Sequence, residues 1–220
     1  MSLRSVPGAE RLVELHGAEL PQKDELCGAF WGTLALRVAG VTDGSMPVDQ
    51  DSVAALAGST LSPRPQDDLP PGELGRSDYR ISLPAADEPA VSGTSAGGLV
   101  RALRELAGAA LAVIPVAGPW TPGAVTAVMD TADETGGPCT VIANLATRHL
   151  WGSHPSPAAV LGYLIGGDQN TGPPPDWNVG HFVGLLGRIE GPRGTLILVG
   201  DTYRSLGWDG IHAQPVERLS

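Results

Sequence analysis

The strongest constraint on the fold lies in the last third of the chain. There GHFVGLLGRIE and TLILVGD flank the turn-forming residues Gly191-Pro192-Arg193-Gly194. Each run is apolar over the length of a strand, and the join is short. The pattern predicts a hairpin with strands at His181–Arg188 and Thr195–Asp201, closed around Glu190-Gly191-Pro192-Arg193-Gly194. A hairpin commits this part of the chain to antiparallel sheet. It also has a chemical consequence. Residues at the start of one strand and the end of the next lie side by side, so His181 and Asp201 fall within reach of each other.

Upstream, the periodicity is helical. Cys27–Ala39 carries apolar residues at helical spacing (Phe30, Leu34 and Val38, with Ala29 and Leu36), and Gly40 stands where a helix stops. Asp24 or Glu25, just before it, suits the positive end of a helix. Asp49 to Leu56 reads as a second helix, closed by Gly58. Leu99–Ala107, Ala124–Glu134 and Pro157–Ile165 read as further helices, and Ala110–Pro115 and Cys139–Leu145 as buried strands. Residues 1–20 form a polar lead-in with a helix turn at Glu10–Leu15, and Gly210–Leu219 a last strand and turn. Helices first and a mostly antiparallel sheet last make an α+β protein.

The stretch Leu61 to Gly93 is dense in Pro, Asp and Gly and carries no periodic signal. Loops this long are uncommon inside a compact domain and are often lids or binding loops. A domain linker is the alternative, but the roughly 60 residues before it are few for an independent core. The expectation is one domain over 1–220, with 61–93 as an excursion from it.

Fourteen Lys and Arg stand against 24 Asp and Glu, a formal charge of −10. So acidic a chain is a poor match for nucleic acid or an anionic membrane surface, and neither is expected as a partner. No apolar run approaches the ~18 residues of a membrane span. The N-terminal MSLRSVPGAERLVELHG lacks the apolar centre of a signal peptide, so a cytoplasmic location is expected. Cys27 and Cys139 make no disulfide framework. With five scattered histidines they give no C-x-x-C or H-E-x-x-H spacing, so no metal or other cofactor is expected.

Cys27, His181 and Asp201 fit one assembly. A thiolate, not a thiol, is the nucleophile, and a helix start favours it through unpaired N–H groups and the helix dipole. A histidine in reach completes an ion pair and protonates the leaving group, and a carboxylate fixes its tautomer. His181 follows Gly180, which leaves the ring uncrowded, and Trp177, four residues earlier, can wall a substrate subsite. Taken singly each residue has a plainer role: a small packed thiol, a satisfied histidine, a turn aspartate. Their order and the hairpin topology favour the catalytic reading. Gly93-Thr94-Ser95-Ala96-Gly97 fits the G-x-S-x-G of a serine nucleophile elbow, but no buried strand leads into it. Ser95 or Thr94 as a helix cap explains it better.

In these segments the chain resembles the papain-like cysteine peptidases, above all the branch that cleaves bacterial leader peptides after paired glycines. PQKDELCGAFWGTLAL opening a helix, SAGGLVRALRELAG, CTVIANL and GHFVGLLGRIEGPRGTLILVGDTY carry the likeness, over roughly residues 20–219. The resemblance implies a papain-like α+β fold, with the nucleophile helix packed on the sheet. It also implies Cys27 as nucleophile, His181 as base and Asp201 as orienting residue, although Thr202-Tyr203 follows the aspartate where the family has proline or a similar pair. The family's oxyanion glutamine is matched in kind by Gln22, five positions before Cys27 where six is more usual. Trp177 and Gly180 are candidate substrate-binding residues. The implied activity is attack on a peptide or protein substrate through a thioester. An acyltransferase or peptide cyclase using the same triad, and a catalytically silent peptide-binding module, are the alternatives.

Overall fold

A computed structural model describes residues 1–64 and 68–219, so residues 65–67 of the predicted long loop lie outside it. In chain order the elements are β1 (Ser2–Ser5), α1 (Ala9–Glu19), α2 (Cys27–Val38), β2 (Thr42–Asp43), β3 (Met46–Pro47), α3 (Gln50–Ala57) and α4 (Ala96–Ala107). Then come α5 (Pro122–Glu134), β4 (Val141–Ala146), α6 (Pro157–Gly166), β5 (Gly180–Glu190), β6 (Thr195–Gly200) and β7 (Ile211–Pro215). The protein is α+β, as its sequence predicts. It divides into two compact units: a helical unit, Arg11–Pro115, and a sheet unit made of Met1–Glu10 and Val116–Ser220. The sequence reading took 1–220 as one domain.

In the helical unit α2 is the central element. Its residues from Gly28 to Leu36 are all buried, which is why CGAFWGTLAL has almost no polar face. Gly32 lets neighbours close in: a Cβ there would stand 2.8 Å from Leu99 of α4 and 3.0 Å from Val53 of α3. His16 stacks on Trp31 (ring centroids 5.4 Å) and meets Phe30 edge-on. Helix ends follow local chemistry. Asp49 caps α3 by accepting from Ser52 N–H, and Gly58 ends it in the left-handed conformation at φ 68°. Ser95 caps α4 by accepting from Gly98 N–H. The G-x-S-x-G serine is therefore a cap.

In the sheet unit the strand order is β1-β5-β6-β7, all antiparallel, with β4 also paired to β5. The hairpin β5–β6 closes as predicted, Gly191 N–H donating to Gly194 O at 2.8 Å. A bulge between Leu185 and Gly187 shifts its register. Val125, Met129 and Ala132 of α5 pack with Val183, Leu185, Ile197 and Val199 in one core cluster. Trp151, Tyr163 and Leu164 pack with Leu196 in another. Arg188 of β5 is buried and ties the sheet to α5 through Asp130 (2.6 Å).

Three expectations need correction. Ala110–Pro115 is not a buried strand: it has no strand pairing and Ile114 is 77% exposed. The run ends where the helical unit ends, at Pro115, which has no backbone donor, so apolar composition there does not mean burial. The strand expected at Cys139–Leu145 is Val141–Ala146 and is half-buried, because among the described residues it pairs only with β5. The polar lead-in supplies strand β1, whose Ser2–Ser5 pairs Gly187–Glu190.

Candidate active site

The C-terminal end of β6 and the start of β5 bring His181 and Asp201 together. His181 Nε2 lies 3.0 Å from Asp201 Oδ1, and both side chains are only 2% exposed. Asp201 sits one residue past β6, its N–H donating to Gly210 O at 2.6 Å. Its Oδ1 also accepts from Thr202 N–H at 2.7 Å, and its Oδ2 faces His212 Nε2 at 3.3 Å. Burial alone pushes this carboxyl up. The charges and hydrogen bonds of His181 and His212 outweigh it and hold Asp201 well below the usual carboxylate range. An ionised carboxylate only accepts, so His181 Nε2 carries the proton of the neutral ring and Nδ1 is its basic nitrogen.

Trp177 meets the His181 ring edge-on at 4.8 Å between centroids and Tyr203 at 5.7 Å. Thr147 Oγ1 donates to Trp177 O at 3.0 Å, which fixes the end of the Pro-rich loop against the 147–149 turn. Trp177 thus walls the imidazole itself. Gly180, exposed, opens β5 opposite Ala146, and a Cβ there would meet nothing within 4 Å.

The thiol lies in the helical unit. Cys27 is the first residue of α2 and is half-buried. No side chain caps this helix start. Glu25, two residues earlier, has φ 65°, a left-handed conformation that a non-glycine residue adopts only where surroundings hold it. The long loop provides that hold. Asp24 and Arg76 exchange two hydrogen bonds, N–H to Arg76 O at 2.9 Å and Arg76 N–H to Asp24 Oδ1 at 2.8 Å. Tyr79 OH donates to Asp24 O at 2.8 Å, and Ser92 Oγ to Glu25 Oε2 at 2.7 Å. Lys23 Nζ is buried against Asp51 Oδ2 (2.7 Å) and Asp78 O (2.8 Å). Residues 76–80 therefore form a strap across the 19–25 turn. Gln22 lies buried in the same turn.

Burial raises the Asp24 and Glu25 carboxyls above their ordinary values, despite the Arg76 N–H on one and the Ser92 hydroxyl on the other. Cys139 differs from Cys27 in setting. It packs against the core cluster of the sheet unit, and burial, then Asp133, pushes its thiol up.

A family model described as a family of unknown function, DUF6885, matches residues 6–220. The chain belongs to this family. The match spans both units. No curated protein matches the chain, and no solved structure matches it. None of the helices among the described residues is long and apolar enough to cross a membrane.

The sequence reading did not name His212, Gln214 or the strap residues Arg76 and Tyr79. IHAQP carries a signal for the first two. Two hydrogen-bonding side chains alternate with apolar ones on a strand, and both proved buried. The strap has no comparable signal, since its contacts are largely with backbone atoms.

Proposed function

We propose that this member of the family is a cysteine-nucleophile enzyme, a papain-like thiol peptidase acting on a peptide or protein substrate. Cys27 attacks the acyl carbon and expels the amine, which His181 protonates. Water, activated by His181, then cleaves the thioester and restores the thiol. Asp201 orients His181 and stabilises the imidazolium, and Gln22 and the Cys27 N–H are the oxyanion donors. Trp177 screens the His181–Asp201 hydrogen bond from water. The observation that carries the proposal is the buried His181–Asp201 pair, which leaves Nδ1 as the basic nitrogen. A buried histidine hydrogen-bonded to an ionised carboxylate is the form a general base takes.

The test is site-resolved alkylation by iodoacetamide across pH, with Cys139 as internal reference. Cys27 is expected to react faster than Cys139 at neutral pH. In His181→Ala its rate should fall and follow the pH profile of an ordinary thiol. A Cys27 rate indifferent to His181→Ala would sink the proposal.

A further inference from the structure

The proposed mechanism makes no use of two buried polar residues on β7, His212 and Gln214. The pairing of β6 with β7 sets Val199 opposite His212 and Ile197 opposite Gln214. Paired residues of an antiparallel sheet share a face, so both polar side chains lie on the face of Val199 and Ile197.

Their hydrogen bonds fix their orientation. Trp151 N–H can only donate, so the Gln214 atom 2.7 Å from it is the carbonyl Oε1. Gln214 Nε2 then donates to Trp151 O at 3.0 Å and to His212 Nδ1 at 2.9 Å. A ring nitrogen that accepts carries no proton, so neutral His212 carries its proton on Nε2. That atom faces Asp201 Oδ2 at 3.3 Å. Asp201 in turn accepts from His181 through its other oxygen. One backbone amide at Trp151 thereby sets the tautomer of His212 through Gln214, and His212 and His181 share one carboxylate.

We propose that His212 is a positioning residue, the donor that holds the Asp201 carboxylate in place for His181. Without it, Asp201 keeps Thr202 N–H and His181 as donors on Oδ1 and loses one donor on Oδ2. The carboxylate is then less firmly held, and its charge bears more heavily on His181. Among the titratable groups acting on Asp201 are His181 from β5 and His212 from β7. His154 lines the same surface recess as His212, and Ser153 links that loop to Asp176. That the pair serves a thiol rests on the function proposed above; the hydrogen-bond chain does not.

The test follows His181 directly, by long-range 1H–15N spectra of histidine-labelled protein across pH, in a Cys27→Ala background. Neutral His181 and His212 are expected as Nε2–H tautomers. His212→Phe keeps a ring without a donor and should shift the His181 titration to higher pH, because the carboxylate then stabilises the imidazolium more. His212→Gln places an N–H near the lost Nε2 and should restore the wild-type midpoint. If the Phe variant does not fold, His212→Asn, too short to reach, carries the same expectation. A His181 midpoint unchanged or lowered in the donor-less variant, or Gln shifting with Phe, overturns the proposal. Because Cys27 is absent from the measurement, failure of the thiol assignment would leave this result untouched. Failure of the positioning role would likewise leave the alkylation test standing.

Discussion

The two ends of the proposed chemistry are held by different means. In the helical unit, the turn before Cys27 is gripped by a remote stretch of chain, residues 76–80, mostly through backbone atoms, and by a buried ion pair from Lys23 to Asp51 of α3. In the sheet unit, His181 is held by side chains at strand ends, Asp201, His212 and Trp177. The first arrangement fixes a backbone conformation, including the left-handed Glu25. The second fixes a protonation pattern. Acids report the difference, since burial prevails at Asp24 and Glu25 while histidine partners prevail at Asp201. Substitutions that remove a single partner should therefore loosen chain geometry in one unit and change titration in the other.

The largest effect is expected from Asp51→Ala. It strands the Lys23 ammonium, whose side chain is 6% exposed, leaving it Asp78 O and the face of the Tyr79 ring at 6.0 Å. Removing one partner of a buried ion pair costs about 3–5 kcal/mol. Urea unfolding should show that loss, and hydrogen exchange should place it in α2, α3 and the 76–80 strap. The paired change Lys23→Met with Asp51→Leu should recover most of it, since an apolar pair of similar volume carries no stranded charge. Equal loss in single and double variants would mean that shape, not charge, holds the turn.

Asp201→Ala comes next, at about 2–3 kcal/mol, because it removes one charged acceptor from buried donors on His181, His212 and Thr202. The pH dependence has opposite signs at Asp201 and at the Asp24–Glu25 turn. Asp201 titrates below its unfolded value of about 3.9, so its contribution is present above that pH and lost as pH falls through the folded value. Asp24 and Glu25 titrate above their unfolded values, so theirs is present below about pH 4 and lost as pH rises through the folded values. Exchange protection, corrected for intrinsic rate, should rise in the 19–27 turn on acidification toward about pH 4, while β5 and β6 gain none. A uniform response across both units would remove the contrast.

Elements whose ends are written in local chemistry were legible in the sequence. Cys27–Val38, the helix beginning at Asp49, the Gly58 stop and the Ser95 cap each follow from a few adjacent residues. So did the hairpin that pairs His181 with Asp201. What stayed hidden depends on partners distant in the chain. Ser2–Ser5 becomes a strand only because β5 offers it a backbone edge, and Leu3 remains 63% exposed. Residues 110–115 look like a core strand and are not, because among the described residues none pairs with them as a strand and Ile114 is 77% exposed. Arg76 and Tyr79 sit in a Pro-rich stretch with no periodicity, yet they hold the turn that leads to the thiol.

Tyr79→Phe tests that hold with one atom. The lost hydrogen bond to Asp24 O, on a half-buried ring, should cost about 1 kcal/mol. Overall stability moves little, so the sharper readout is local: protection of the Leu26 N–H, which donates to Lys23 O at 3.0 Å, should fall more than that of β5 amides. If it does not, the turn is secured without Tyr79, by Arg76, the Lys23–Asp51 pair and Ser92.

The smallest effect separates two readings of a motif. Ser95→Ala removes the hydroxyl that accepts from Gly98 N–H at 3.0 Å and should cost about 1 kcal/mol, with Ser95→Gly costing only a few tenths. That graded pattern belongs to a helix cap, because glycine tolerates the capping backbone while alanine supplies neither acceptor nor flexibility. Neither change should alter the alkylation rate of Cys27 or its dependence on His181. A serine nucleophile would behave the other way, with both variants equally inactive toward an ester substrate whatever their stability. Gly98 sharpens the point: a Cβ there would overlap Ala57 O, so α4 begins in direct contact with the end of α3. The Ser95 hydroxyl is thus committed to the start of a tightly packed helix, which leaves Cys27 as the nucleophile to test in this unit.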